Sequence, residues 1–359
     1  MNIAIIGSGY VGLITGLCLA SKGNNVRCID INNEIIEKLN KGVASFYEKG
    51  LKSLLKQELK SKRFIALNSL ERVEIDLDII IIAVGTPSSE NGEINLKYIF
   101  KAAKDIAKYI KQIKNHISII VKSTVLPGVT DTLVKNIIEK ESHKILGDFG
   151  LGMNPEFLRE GSAISDFLNQ DRVVIGYEDE KTKIKLQKLY NKWNCPKIYV
   201  NSRTAEFIKY ANNIFLALQI STTNEIANLA YEIGNVDIQD IMNGVHLDKR
   251  WNPVINGKRA NPEILKYLKA GCGFGGSCFP KDIKAISKLG LSKGLNMKML
   301  NSIIQTNDLQ PYKIIKLFDD LKNLKELNLL VLGLSFKEGT DDIRDSPSLK
   351  IIPKLENKF

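Results

Sequence analysis

Residues 2–30 follow a pattern that few folds accommodate. An apolar run from Asn2 to Ile6 leads into Gly7-Ser-Gly-Tyr-Val-Gly12, and a helical stretch follows from Leu13 to Lys22. A second apolar run, Asn25 to Ile29, ends on the acid Asp30. Strand, G-x-G-x-x-G, helix, strand and acid together form the dinucleotide fingerprint, whereas the glycine motif alone is weak. In that reading Gly7 makes the tight turn, Gly9 admits a pyrophosphate, and Gly12 lets helix and strand pack closely. Asp30 is expected to hold the adenosine ribose hydroxyls. No arginine follows it to receive a 2′-phosphate, so NAD is the cofactor expected rather than NADP.

Other strand-like runs end in small polar loops. Asp78–Val84 runs into Gly85-Thr86-Pro87, and Ile117–Val121 into Lys122-Ser123-Thr124. Ligands of doubly wound sheets lie outside the carboxyl ends of strands, so both loops are expected to face the cofactor. Phe149–Met153 leads to Asn154-Pro-Glu-Phe-Leu-Arg-Glu-Gly161. Two readings of Glu156 and Glu160 stand at this point: solvated acids in a helix's first turn, or an acid/base group aimed at the nicotinamide.

Past Trp193 the alternation gives way to helix. Thr204–Ile233 has few breakers, a capping-type start at Thr204 with Glu206 behind it, and a stop at Gly234. Its apolar residues fall on more than one face, which predicts burial on several sides, as in a dimer spine or a domain-linking core. Lys209 and Asn213 share a face. Asn212 and Asn213 are poor helix formers, which points this face toward function. Late in the chain Leu327–Ser335 reads as a buried strand, and a short helical run after Pro347 is interrupted by Pro353. The expected fold class is α/β: a doubly wound Rossmann-type NAD domain over residues 1–200, an all-helical central dimerisation domain over 201–305, and the incomplete start of a second α/β domain over 306–359.

The chain carries a net charge of +11. Its lysines are spread through helical patterns such as Leu51–Lys60, with no basic stripe interleaved with aromatics. Solvated faces and attraction for an anionic small substrate explain the charge better than nucleic acid does. No apolar run reaches the length of a membrane span, and the N-terminus lacks a signal-peptide pattern, so no membrane partner and a cytoplasmic location are expected. The five cysteines (18, 28, 195, 272 and 278) contain no Cys-x-x-Cys pair. Neither disulfides nor a metal site is expected.

Gly271-Cys-Gly-Phe-Gly-Gly-Ser-Cys-Phe-Pro-Lys-Asp282 surrounds Cys278 with glycine and follows it with a lysine and a carboxylate. Two readings stand here also: a nucleophile in a loop that a ligand approaches closely, or a small buried filler before a helix.

Taken in order, these motifs, with Phe336-Lys337 and Asp341-Asp-Ile-Arg-Asp-Ser-Pro347, resemble the UDP-glucose/GDP-mannose dehydrogenase family over nearly the whole chain. The wording around Asn154 and Cys278 looks like its UDP-glucose branch. The resemblance implies two successive oxidations of a sugar's primary alcohol, with NAD as cofactor and a UDP-sugar as substrate, in a homodimer or higher homo-oligomer. It implies Cys278 as the nucleophile, Lys209 and Asn213 as stabilisers of oxyanion charge, Asp282 and Thr124 as water-holding groups, and Glu156 in acid/base steps. Cofactor contacts are implied for Gly7, Gly9, Tyr10, Val11, Gly12, Asp30, Gly85, Thr86, Pro87, Ser123, Thr124, Glu160 and Lys281. Substrate contacts are implied for Glu156, Phe157, Leu158, Lys209, Asn213, Lys269, Phe274, Gly275, Phe336 and Lys337, and for Arg250 as a residue lent to a neighbouring site.

Rival readings are a GDP-mannose or UDP-N-acetylhexosamine 6-dehydrogenase, and a β-hydroxyacid dehydrogenase, which makes one hydride transfer and needs no thiol. The family continues through further strands where this chain stops. That departure raises a further alternative, an inactive remnant or dimer partner with weakened UDP-sugar binding.

Overall fold

The computed structural model describes residues 1–89, 92–319 and 328–356. It comprises two compact units, Met1–Lys209 and Tyr210–Phe359.

The first unit alternates strand and helix: β1 (Asn2–Ile6), α1 (Tyr10–Ser21), β2 (Asn25–Ile29), α2 (Asn33–Asn40), α3 (Leu51–Lys60), β3 (Phe64–Leu67), β4 (Ile79–Ile82), α4 (Lys97–Lys111), β5 (Ser118–Val121), α5 (Lys135–Ser142), β6 (Gly150–Met153), α6 (Ala163–Leu168), β7 (Val173–Tyr177), α7 (Glu180–Leu189) and β8 (Lys197–Val200). Among the described residues these strands form one eight-stranded sheet in the order β3-β2-β1-β4-β5-β6-β7-β8. All neighbours are parallel except β6 and β7. The order 3-2-1-4-5-6 is the dinucleotide-binding arrangement, with its topological switch between β1 and β4.

The central strands of a parallel sheet are covered on both faces, so they read as near-continuous apolar runs, as in Ile79–Ile82. Ile79 and Ile81 join one core cluster with Ile3, Ile5 and the α1 residues Leu13 and Leu17. Ile80 and Ile82 join the other with Ile119, Val121 and the α4 residues Ile99 and Ile106. Each buried isoleucine contributes about 2 kcal/mol. The register is even: Ile6 lies opposite both Ile29 and Ile82, Ile82 opposite Val121, and Val121 opposite Met153. Gly7, Asp30, Ala83, Lys122 and Asn154 therefore leave the sheet at one level of its carboxyl edge.

The second unit is mainly helical. The long helix α8 (Ser202–Ile233) enters it, followed by α9 (Ile238–His246), α10 (Phe279–Ser292), α11 (Lys298–Lys316) and α12 (Pro347–Leu355). A hairpin, β9 (Val254–Ile255) with β10 (Lys258–Arg259), turns on Asn256 and Gly257, both at positive φ. Asn-Gly is the usual pair for such a two-residue turn, so this hairpin was legible in the sequence although the central region was expected to be all helix.

Four other expectations change. The α8 cap is Asn201, whose side chain accepts the Thr204 N–H at 2.8 Å, and Thr204 lies inside the first turn. Instead of completing a capping box, Glu206 accepts the backbone N–H groups of Gly128 and Thr130. Within one chain α8 leaves one face exposed, carrying Phe207, Phe215, Ile226, Leu229 and Ile233. Most consequential is the expected strand Leu327–Ser335. Leu327 lies outside the described residues, and 328–335 form no strand. Leu330 and Leu332 are 78% and 85% exposed. Among the described residues no second strand is present to pair with this run. Pro353 does not interrupt α12, which continues to Leu355.

Among the described residues no helix is long and apolar enough to cross a membrane, and no cluster of His, Cys, Asp and Glu could hold a metal.

Candidate active site

In the first unit, the carboxyl edge of the sheet gathers the glycine turn and three loops. Gly7 sits at φ +102°, where a Cβ would come within 2.6 Å of the Ala83 carbonyl oxygen. A Cβ at Gly12 would collide with the Gly7 carbonyl. Gly9 differs, because a Cβ there would meet no atom within 4 Å. Packing explains Gly7 and Gly12, whereas Gly9 borders open space at the head of α1, where backbone N–H groups favour an anion. Gly85 likewise borders open space. These features fit the pyrophosphate of a dinucleotide.

Asp30 closes the turn from the side. Its Oδ2 accepts the Ser8 N–H (2.9 Å) and hydroxyl (2.6 Å), and Oδ1 accepts the Asn32 N–H. A carboxylate has about four acceptor positions, so one remains for a ribose hydroxyl. Beside Val11, Tyr10 packs its ring at a tilt against Phe46 and donates its hydroxyl to Glu48 at 2.5 Å. Burial and then Glu48 hold its phenol well above the ordinary range. Glu48 also accepts the N–H groups of Gly161 and Ala163, tying the loop that carries Glu160 to the first turn of α1. The sequence reading passed over Glu48; its only local signal was the positive-φ Gly50 that starts α3. Across the switch point, the Thr86 hydroxyl donates to the Thr124 carbonyl and the Ser123 hydroxyl to the Val84 carbonyl, so the loop holding Gly85, Thr86 and Pro87 is laced to Ser123-Thr124.

After β6 the chain is not helical at 154–159, and Glu156 is buried. The solvated first-turn reading of this acid therefore fails. Its carboxylate pairs with Lys209 at 2.8 Å, with side-chain exposures of 7% and 5%, and accepts the Leu158 N–H at 2.6 Å. Burial pulls the Glu156 carboxyl up. Lys209, the Leu158 N–H and Lys122 outweigh burial and leave it below its ordinary value. The neighbouring Phe157 ring lies under the Lys209 ammonium and the Arg172 guanidinium.

In the second unit, Cys278 immediately precedes α10, with Pro280 and Asp282 in its first turn. The Ser277 hydroxyl lies 3.6 Å from the sulfur. A helix N-terminus favours negative charge, which suits a thiolate. Asp282 is buried, accepting the Asn213 side-chain amide at 2.8 Å and the Lys281 ammonium at 2.6 Å. That bond accounts for Asn213 within a helix, since its amide is a donor to the carboxylate. Lys281, expected at the cofactor, is engaged by the adjacent acid.

Two of the glycines before Cys278, Gly275 and Gly276, have a packing reason. A Cβ at Gly276 would sit 2.8 Å from the Phe336 ring, and one at Gly275 would strike the Asp345 carbonyl. Gly276 also donates to the Arg344 carbonyl. These two glycines admit protein: they let 336–345 lie against the loop. Phe274 is buried, its backbone clamped by the Asn307 side chain, a residue the sequence reading missed. Lys337 sits over the Phe336 ring. Lys269 is exposed. Arg250 forks onto Asp248 within its own turn and faces solvent, so this chain alone does not bring it to the glycine loop.

Comparison with known proteins bears on the family. Models of the UDP-glucose/GDP-mannose dehydrogenase family match the NAD binding domain at residues 1–194, the central domain at 203–309 and the UDP binding domain at 330–359. The chain is 41% identical over 356 residues to UDP-glucose 6-dehydrogenase TuaD of Bacillus subtilis, covering 99% of this chain and 73% of that one. It is 35% identical to the GDP-mannose 6-dehydrogenase of Pseudomonas aeruginosa, covering 100% and 79%. Among solved structures, a UDP-glucose dehydrogenase from the archaeon Pyrobaculum islandicum superposes with a TM-score of 0.90 at 37% identity, covering 99% and 79%. Sheet order, glycine turn, family models and relatives agree: the chain belongs to the UDP-glucose/GDP-mannose dehydrogenase family.

Proposed function

We propose that the protein oxidises UDP-glucose to UDP-glucuronate with two NAD per sugar, in service of polysaccharide synthesis. The observation that carries this reading is Cys278 at the head of α10, with the Asp282–Asn213 pair in the same unit. A single-hydride dehydrogenase has no use for such a thiol. The UDP-glucose dehydrogenases among the relatives, at about 40% identity, favour glucose over mannose.

When bound, NAD accepts the hydrides. The chain's own groups do the rest. Lys209 stabilises negative charge on the sugar oxygen as its proton passes to water and the first hydride leaves the carbon, which becomes an aldehyde. The Cys278 thiolate adds to the resulting aldehyde, forming a carbon–sulfur bond and an alkoxide that the Asn213 amide steadies. Loss of the second hydride from that carbon leaves a thioester on Cys278. Water attacks the thioester and gives up a proton; the family resemblance implies Asp282 and Thr124 as water-holding groups and Glu156 for the acid/base step. The carbon–sulfur bond breaks, and thiolate and carboxylate separate. Lys337 and Lys269 meet the diphosphate as point charges.

The exposed α8 stripe of Phe207, Phe215, Ile226, Leu229 and Ile233 supports pairing with a second copy through this helix. Counting NADH released per sugar across UDP-glucose, GDP-mannose and UDP-N-acetyl sugars tests the function. Two per UDP-glucose is expected. One per substrate, or preference for another sugar, would overturn the assignment.

A further inference from the structure

Lys122 opens the loop after β5, yet its side chain turns into the protein and is buried. Its ammonium donates to the Asn154 side-chain oxygen at 2.8 Å and to the Asn154 carbonyl at 3.4 Å. Asn154 is fixed in turn: its amide donates to the Val174 carbonyl of β7, and the Tyr190 hydroxyl donates to the same Oδ1 at 2.6 Å. On the α6 side the ammonium stands 5.7 Å from the Phe167 ring centre. These partners are all neutral, because burial holds the Tyr190 phenol above its ordinary range. Burying an ammonium among neutral partners costs free energy that an apolar side chain of the same length would avoid. The charges that reach it are Glu156, two residues beyond Asn154, and Lys209 on α8.

We infer that Lys122 is a positioning residue acting through Glu156: it holds the Asn154–Glu156 turn at the end of β6 and supplies a second positive charge to the Glu156–Lys209 pair. Burial brings the Lys122 ammonium down to about 8, with Glu156 pulling it up and Lys209 pushing it down. The second charge is therefore present at neutral pH and withdrawn above about pH 8. The consequence for turnover rests on the proposed dehydrogenase function, whereas the titration itself does not.

Two measurements test it. In the pH profile of NADH production from UDP-glucose, an alkaline limb near pH 8 is expected in the wild type. The limb should be absent in Lys122→Met and Lys122→Arg. The acid limb should move up by about one pH unit in the Met variant, with kcat/KM about tenfold lower, and return in the Arg variant, which keeps the charge. A Met variant that is uniformly slower with an unchanged profile would reduce Lys122 to a structural prop and overturn the inference. Independently of activity, the lysine 13Cε resonance that disappears in Lys122→Met should titrate near pH 8 in the apo protein, and lower in Glu156→Gln. A midpoint near 10 that ignores Glu156 overturns the inference as well. If the wild type makes no NADH, the function is wrong, and the resonance alone decides the role of Lys122.

Discussion

Two apolar runs of similar composition meet opposite fates. Ile79–Ile82 is central in the sheet, hydrogen-bonded to β1 and β5 and buried at every residue. Leu329–Leu334 is as apolar, yet forms no strand and leaves Leu330 and Leu332 in solvent. Ile79–Ile82 has a neighbour on each side to satisfy its backbone groups and a helix over each face; the second run has no pairing partner among the described residues. A strand is a relation between segments, and β propensity alone does not create it. The first unit accordingly has paired strands and one sheet edge from which its loops emerge, whereas the chemistry proposed for the second unit rests on one helix end and a glycine loop packed by 336–345.

The largest expected effect lies at that helix end. Cys278→Ser should reduce uronate formation by more than about 10³-fold, because an alkoxide leaves poorly from an ester. NADH binding in the first unit should be unchanged, and Cys272→Ala should remain active. Two NADH per sugar from the serine variant would make Cys278 a packing residue and dissolve the contrast.

The paired runs can be compared directly by thermal or denaturant unfolding. Ile80→Ala is expected to cost about 3 kcal/mol, and Leu332→Ala less than about 0.5 kcal/mol. Similar losses would mean that the second run is packed in solution.

Asp30→Ala removes both the expected ribose acceptor and the tie to Ser8, so NADH affinity should fall about tenfold, while UDP-glucose affinity should not change. Parallel losses in both, measured by separate titrations, would mean that Asp30 acts on the fold rather than at a cofactor ribose.

Glu206 gives the smallest effect and a defined sign. Burial raises its carboxyl from 4.5 to about 7, against the Gly128 and Thr130 hydrogen bonds that lower it. The folded state therefore holds more protons than the unfolded state between those values. The contribution of Glu206 to stability is full below about 4.5 and is lost as pH rises through about 7. Glu206→Gln sets an amide donor against a backbone donor and should cost about 1 kcal/mol at pH 5. The deficit should narrow by pH 8, and a gap that widens would reverse the assignment.

Much of the first unit could be read from residues 2–30, because period, glycine spacing and terminal acid constrain one another locally. Lys209 and Asn213 could be singled out as a pair because four residues make one helical turn. Their partners could not. Glu156 comes from a loop more than fifty residues earlier and Asp282 from a helix nearly seventy later, and no local rule ties such separations together. Glu48, Asn307 and Lys122 were passed over for the same reason: each acts on backbone or side chains far away in the chain. The glycines before Cys278 were recognised as meaningful, but only the packed structure shows that Phe336 and Asp345 occupy the space they leave. The sequence by itself determined the dinucleotide fold, the long helix and the thiol at a helix start, since these rest on short-range geometry. Tertiary structure decided which charges are buried together and whether an apolar run becomes a strand, because burial and pairing depend on neighbours that a segment does not carry with it.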